Sequence, residues 1–234
     1  MVELPEGRDW EMVVFDVDGT LMDVDGYHPD LIPLIREVEA RGLTVSLASG
    51  RTLPNVTPIK QSLGVSGFIV AENGGMVWDS DQGHEIVALA DGSRARAAAQ
   101  WLATQIDGFD DAGIESNRWR ETEWCLYERE DAELMCQLLA YTEWSDLIVV
   151  STGFAIHITA PGVDKASGLR VAFEQRGIDP VGSWSAAMPP TTSRCSRCAV
   201  SRWRSTTLTT ASPRPLTCSQ RHVVPRAQSS FCGP

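Results

Sequence analysis

The chain has 234 residues, 43% of them hydrophobic and 22% charged, and carries a formal charge of −11. That length accommodates one medium domain with an insert. Its apolar runs, Met12 to Phe15 among them, fall far short of the roughly 18–20 residues needed to cross a bilayer. The opening residues show no basic-then-apolar leader, so the expected compartment is cytoplasmic. All 31 acidic side chains precede position 181, where 13 basic ones face them, a balance of −18 that repels nucleic acid and suits a high-salt cytosol.

Strand and helix signals alternate from the start, which predicts an α/β layered structure with a mainly parallel sheet. Met12 to Phe15 reads as a buried strand. Pro29 to Ala40 places Leu31, Ile32, Leu34, Ile35 and Val38 at helical spacing, with Gly42 as the stop. Leu43–Ala48 is a second strand, Thr52–Leu63 a second helix, Gly67–Ala71 a third strand, and Asn73-Gly74-Gly75 a turn into Met76-Val77-Trp78. From about Asp79 the rhythm changes: a helix over Ser93–Ile106, a strand over Glu123–Tyr127, a helix over Asp131–Tyr141, then strands over Leu147–Ser151 and Ala155–Thr159. This predicts a small α/β unit over residues 79–159, inserted into a core made of 1–78 and 160–180. Lys165–Arg176 resumes the core as a helix.

The chemistry concentrates in Phe15-Asp16-Val17-Asp18-Gly19-Thr20-Leu21. A buried strand ending in Asp-x-Asp-Gly-Thr sets two carboxylates at the carboxyl edge of a parallel sheet, where open α/β sheets bind ligands. Asp16 can attack phosphorus if a divalent ion offsets the repulsion between carboxylate and phosphate, and Asp18 sits beside it to exchange a proton. By themselves, Ser49 in Ala48-Ser49-Gly50-Arg51 reads as a helix N-cap and Lys165 as a solvated lysine at a helix start.

The Asp16-Val17-Asp18-Gly19-Thr20 segment resembles the first motif of the haloacid dehalogenase superfamily of phosphatases. That resemblance implies a doubly wound parallel α/β sheet of the Rossmann-like kind with an inserted small α/β cap domain. It implies that Ser49 and Lys165 bind the phosphoryl group, that Asp16 is the nucleophile and Asp18 the acid and base, and that Asp16 and Asp18 hold Mg2+. The segments Leu43 to Gly50, Ala71 to Gly75 and Ser116 to Glu121 are similar to archaeal-type phosphoglycolate phosphatases, over roughly residues 8–180. On that reading Arg118 and Arg120 of the insert meet a substrate carboxylate through a bidentate guanidinium, the alternative being surface arginines of an acidic protein. Trp119 reads as cap core and His157 as a structural histidine on a strand. The expected partner is a small-molecule phosphate ester, with neither nucleic acid nor membrane, and the sequence does not set the oligomeric state. A sugar-phosphate phosphatase on the same core is the alternative activity, and a catalytically impaired product or binding module the alternative from another class.

Beyond Pro180 there is no acidic side chain and no lysine, and Ser, Thr, Pro, Arg and Cys dominate, a composition with no persistent period and little tendency to fold. The family's fourth motif, Gly-Asp-x-x-x-Asp, belongs here and is missing. Codons for Ala186 to Thr192 written with G in the free third positions, and read from the third base of the first, give Gly-Asp-Ala-Ala-Asp-Asp. Arg204 to Thr210 yields a second such string in the same frame. Residues 181–234 are therefore expected to be an out-of-frame, disordered tail. The Cys195-x-x-Cys198 pair within it lacks the second ligand pair of a zinc site.

Overall fold

The computed structural model describes residues 11–178 apart from His84, together with the segments Ser183–Ala186, Val200–Ser201 and Leu216–Thr217. In chain order, β1 (Met12–Asp16) leads into a hairpin of β2 (Met22–Asp23) and β3 (Gly26–Tyr27), followed by α1 (Leu31–Ala40), β4 (Thr44–Ala48), α2 (Leu53–Leu63) and β5 (Ile69–Ala71). A short turn of 3₁₀ helix over Glu72–Gly74 joins β5 to β6 (Met76–Trp78) and β7 (Val87–Ala88). Then come α3 (Ser93–Gln105), β8 (Glu123–Tyr127), α4 (Ala132–Leu139), β9 (Ile148–Ser151), β10 (Ala155–Thr159) and α5 (Lys165–Arg176), and finally β11 (Ser183–Ala186), β12 (Val200–Ser201) and β13 (Leu216–Thr217).

The larger sheet has the order β12-β11-β1-β4-β5-β6-β7. Its centre is parallel, with β1 between β4 and β11, while β12, β6 and β7 add antiparallel edges. Successive residues of a strand face opposite sides, and β1 feeds two cores accordingly. Val13 packs with Val45, Leu47, Ile35, Val56 and Leu63 under α1 and α2. Met12 and Val14 pack on the other face with Val70, Leu169 and Phe173 of α5, where the Phe68 and Phe173 rings meet edge to face at 5.7 Å. The chain winds outward from β1 to β4 and β5, then returns to β11 on the opposite side of β1. The C-terminal end of β1 is therefore the switch point of the sheet, where ligand crevices open.

The insert forms an antiparallel sheet, β9-β10-β8, to which β13 from the segment after Pro180 adds an edge on β9. One face is covered by α3 and α4, through Ala98, Leu102, Met135 and Leu139 against Leu126, Val149, Ile156 and Ile158.

Three features depart from the sequence reading. The β2–β3 hairpin and β7 are two-residue strands, too short to generate a period. Because Val87 pairs with Val77, the core sheet runs past the expected boundary at Trp78. The segment after Pro180 was expected to be without structure, yet β11 lies along β1, pairing Met12 with Ser183 and Phe15 with Ala186. A backbone ladder asks little of side chains, so the open edge of β1 accepts Ser-Trp-Ser-Ala. β12 pairs with β11 and β13 with β9; the other residues of the expected tail lie outside the described residues.

The start of α5 is fixed by close approach of two backbones. Gly74 has φ of 106°, and a Cβ there would lie 1.8 Å from the Asp164 carbonyl oxygen. Gly168, one turn into α5, would set a Cβ 2.8 Å from the Gly74 Cα. Asp164 caps the helix reciprocally with Ser167, at 2.7 and 2.9 Å. Gly74→Ala is thus expected to cost about 2–4 kcal/mol, from a left-handed φ plus an unavoidable clash. It should also push α5 off the sheet edge; urea unfolding, with Gly83→Ala as the unhindered left-handed control, measures it.

Candidate active site

The structure brings Asp16, Asp18, Ser49 and Lys165 to one edge of the sheet. Asp16 closes β1 and pairs in register with Ala48, so the loop after β1 and the Ser49-Gly50-Arg51 loop after β4 leave the sheet side by side. Val17 N–H donates to Asp16 Oδ1 at 2.8 Å, and Lys165 Nζ donates to Asp16 Oδ2 at 2.8 Å. One carboxylate is thereby oriented from both sides. The loop folds back on itself through Gly19, whose φ is 73°, and through Leu21 and Met22 N–H groups donating to the Val17 carbonyl at 2.9 and 3.1 Å.

Asp18 is held by a partner that the sequence reading left out. Arg51 grips it in a fork, Nε to Oδ2 at 2.9 Å and NH2 to Oδ1 at 2.6 Å, and this bonding raises the Arg51 pKa. The signal was present in the quoted Ser-Gly-Arg run, but only the fold brings its third residue opposite Asp18. Ser49 is 0% exposed, and its Oγ accepts from Arg51 N–H at 3.1 Å. That bond shapes the loop and leaves the hydroxyl proton as a donor.

The residues behind this edge form a buried polar joint to the insert. Glu72 and Asn73 take left-handed φ values of 50° and 52°, a strain of about 1–3 kcal/mol each that surrounding bonds must sustain. Glu72 N–H donates to Arg51 O at 2.9 Å and Asn73 N–H to Ser49 O at 3.1 Å, locking the turn to the loop that carries Ser49. The Glu72 carboxylate accepts from Thr122 N–H and Oγ1 at 2.9 and 2.8 Å and from Glu121 N–H. Burial pushes its pKa up even so, with those donors working the other way. Deeper in, Glu123 pairs with Arg120 and with His157 Nδ1, the latter at 3.0 Å. Burial would raise the Glu123 pKa, but His157, Arg120 and Asn73 outweigh it and hold it below the usual range.

This joint corrects the reading of the two insert arginines as a matched pair. The Arg120 side chain is 4% exposed, and its NH1 serves Glu123 and the Gly50 carbonyl, the latter at 3.1 Å. A guanidinium that far from water needs a buried counter-charge, and Glu123 supplies it. Arg118 is exposed and stacks on Trp119 at 5.2 Å. Trp119, expected in the cap core, is 47% exposed. His157 is a buried strand residue, as expected. Arg96, Arg118, Arg120 and Trp124 line a cleft of about 690 Å³ in the insert, which also includes Asp91 and Glu121.

The donor set for Mg2+ falls short. Magnesium is held through oxygen ligands, carboxylates foremost. Asp16 and Asp18 are both engaged by cations, no third acidic or histidine side chain clusters with them among the described residues, and no acidic residue follows Asp179 in the chain.

Comparison with known proteins agrees with this architecture. Residues 13–106 match the family model of haloacid dehalogenase-like hydrolases. Over 175 residues the chain is 35% identical to a phosphoglycolate phosphatase of Haloarcula marismortui, covering 72% of each chain. It is 34% identical over 174 residues to one of Methanopyrus kandleri, again covering 72% of each. A crystal structure from Thermoplasma acidophilum superposes with a TM-score of 0.66 at 27% identity, covering 76% of each chain. A sugar phosphatase of the superfamily shares the fold at 15% identity, with a TM-score of 0.55, covering 75% of this chain and 79% of the other. The chain belongs to the haloacid dehalogenase-like hydrolases, and within them it is a phosphatase. No described helix is long and apolar enough to cross a membrane.

Glu123 offers a test of the joint. Its lowered pKa means that it stabilises the fold above the ordinary carboxylate value near 4.3 and that this contribution is lost as pH falls through the lower folded value. Glu123→Gln leaves Arg120 buried and unpaired, at an expected cost of about 3 kcal/mol at pH 7. The difference from the parent should shrink below pH 4, as followed by thermal unfolding across pH.

Proposed function

We propose that this chain is built to hydrolyse a small phosphorylated acid of the 2-phosphoglycolate kind through an aspartyl-phosphate. The observation that carries the reading is Lys165 Nζ on Asp16 Oδ2 at the switch point of the sheet, in a chain 35% identical to a phosphoglycolate phosphatase. Asp16 bonds to phosphorus as the ester P–O bond breaks, and Asp18, protonated, gives its proton to the departing alkoxide. Asp18 must leave Arg51 to do so. It then takes a proton from water as the water oxygen bonds to phosphorus and the Asp16–phosphorus bond breaks, releasing phosphate. Lys165 and the Ser49 hydroxyl bind phosphoryl oxygens that grow more negative during transfer.

Specificity is assigned to the insert. Arg118 carries an exposed guanidinium suited to a carboxylate, while Arg120 fixes the Gly50 carbonyl next to Ser49. Magnesium is the ion the family reading calls for, with Asp16 and Asp18 as its contributors here. Since the set of acids is incomplete, no step above is routed through it. An altered reading frame after about Val181, read from the sequence of residues 186–192 and 204–210, accounts for the missing acids. A sugar-phosphate substrate is the second reading, carried by the likeness in fold to the sugar phosphatase.

Two expectations test this. Asp16→Asn in a frame-restored protein should lower turnover by more than about 1,000-fold, because an amide is a poor nucleophile; phosphate release at the parent rate rejects the assignment. Arg118→Ala should raise KM for 2-phosphoglycolate about tenfold while sparing p-nitrophenyl phosphate, which has no carboxylate, whereas equal effects on both would remove Arg118 from recognition. The chain as it stands should hydrolyse either ester feebly with added Mg2+, and restoring the frame near codon 181 should recover the rate.

A further inference from the structure

The joint gathers a nitrogen, a sulfur and an oxygen ligand atom around one buried point. His157 Nδ1 has three polar neighbours: Glu123 Oε2 at 3.0 Å, Cys125 Sγ at 3.1 Å and Asn73 Nδ2 at 3.2 Å. Asn73 Nδ2 also reaches Glu123 Oε2 at 3.3 Å and Cys125 Sγ reaches Glu123 Oε1 at 3.7 Å, so three metal-ligating atom types converge on one buried point.

We propose that Glu123, Cys125 and His157 form a binding site for a zinc-type divalent cation at the joint between the two sheets. One atom from each residue lies within 4.8 Å of the others, and all three residues are buried. With a cation at the centre, Nδ1, Sγ and Oε2 all act as lone-pair donors. Tetrahedral zinc, with bonds of about 2.0 Å to N and O and about 2.3 Å to S, sets N···S near 3.5 Å and N···O near 3.3 Å. The observed separations need to open by only a few tenths of an ångström. Turning the Asn73 amide, whose nitrogen is 3.3 Å from Glu123 Oε2, presents its oxygen as a fourth donor from the core side.

The charges agree. A thiolate and a carboxylate neutralise a dication, while Arg120 on Glu123 Oε1 holds the ligating carboxylate from behind, as outer partners of metal ligands do. One sulfur, one nitrogen and one oxygen ligand select zinc or cobalt over oxygen-seeking magnesium. Burial, reinforced by Glu123, pushes the Cys125 thiol well above its ordinary pKa, so metal uptake must displace that proton into solvent. Cys125 and Glu123 lie on β8, His157 on β10 and Asn73 on the turn after β5. The ion would therefore staple the insert to the turn that carries the loop of Ser49.

The test uses the full chain with Cys195, Cys198, Cys218 and Cys232 changed to Ser, so that tail thiols are silent. After chelation and dialysis, one equivalent of Co2+ should give a thiolate-to-cobalt absorption band in the near ultraviolet. Zn2+ should displace it, with release of about one proton and a higher unfolding midpoint. Cys125→Ser and His157→Gln should each abolish the band and weaken Zn2+ binding by at least about tenfold, while Cys136→Ser should leave both intact. Circular dichroism confirms that each variant is folded, and His157→Gln decides if Cys125→Ser is not. A folded parent that binds neither ion, or a band that survives in the folded variants, overturns the proposal.

Discussion

Lys165 and Asp16 are 149 residues apart in sequence and meet at 2.8 Å. That contact exists only if three separate pieces of folding succeed. β1 must be threaded through the middle of the sheet, the insert must close on itself between α2 and α5, and α5 must dock with its first residue at the sheet edge. Docking in turn depends on the absence of side chains at Gly74 and Gly168, where backbone meets backbone. A cation delivered this way sits in a fixed place, and fixed charge is what makes electrostatic assistance effective in a site, since nothing need reorganise as charge develops.

The surrounding charge makes this placement more demanding. The first 180 residues carry −18, a field that opposes any phosphate ester on approach. At the edge of β1 the negative charge is neutralised locally, with Lys165 on one carboxylate and Arg51 on the other. The fork between Arg51 and Asp18 is about two-fifths exposed, so water screens it and it exchanges readily. Such a pair can part when a phosphoryl group offers Arg51 a better-charged partner. A buried pair could not part so cheaply, and the protein keeps its buried pair, Arg120 and Glu123, one layer behind.

The division between what could be read along the chain and what could not follows the range of the interactions. Strands with four or five apolar neighbours and helices with repeated apolar faces announce themselves through period, and their limits agree to within two residues at β1, β4, α2, β8, β10 and α5. Two-residue strands such as β7 carry no period. Asp16 was legible because an apolar strand ending in Asp-x-Asp-Gly-Thr is a local pattern. Arg51 was half legible, in the right loop with its partner 33 residues away. Glu72, Glu123 and Cys125 were not, because a glutamate in a turn or a glutamate or cysteine on a strand looks the same whether it faces water or buried partners. Arg120 was hidden for the same reason: the resemblance offered both insert arginines to a substrate carboxylate, yet one turns into the joint and the other stays in solvent.

The joint itself explains why polar residues occupy a place where an apolar interface would be easier to build. Burying charges gains little net stability, since desolvation offsets much of the attraction, and an apolar interface of similar size would let the insert slide. Glu72 accepting from Thr122, Asn73 reaching Glu123 and Arg120 holding the Gly50 carbonyl can be satisfied together in one relative position only. Each connects the insert to the turn after β5 or to the loop after β4, and those two segments are tied to one another through Glu72 N–H on Arg51 O and Asn73 N–H on Ser49 O. Any displacement of the insert is therefore transmitted to Ser49 and Arg51 over one or two hydrogen bonds. The part of the molecule assigned to substrate selection is coupled in this way to the loop assigned to the phosphoryl group, and the left-handed strain at Glu72 and Asn73 is the local cost of that coupling.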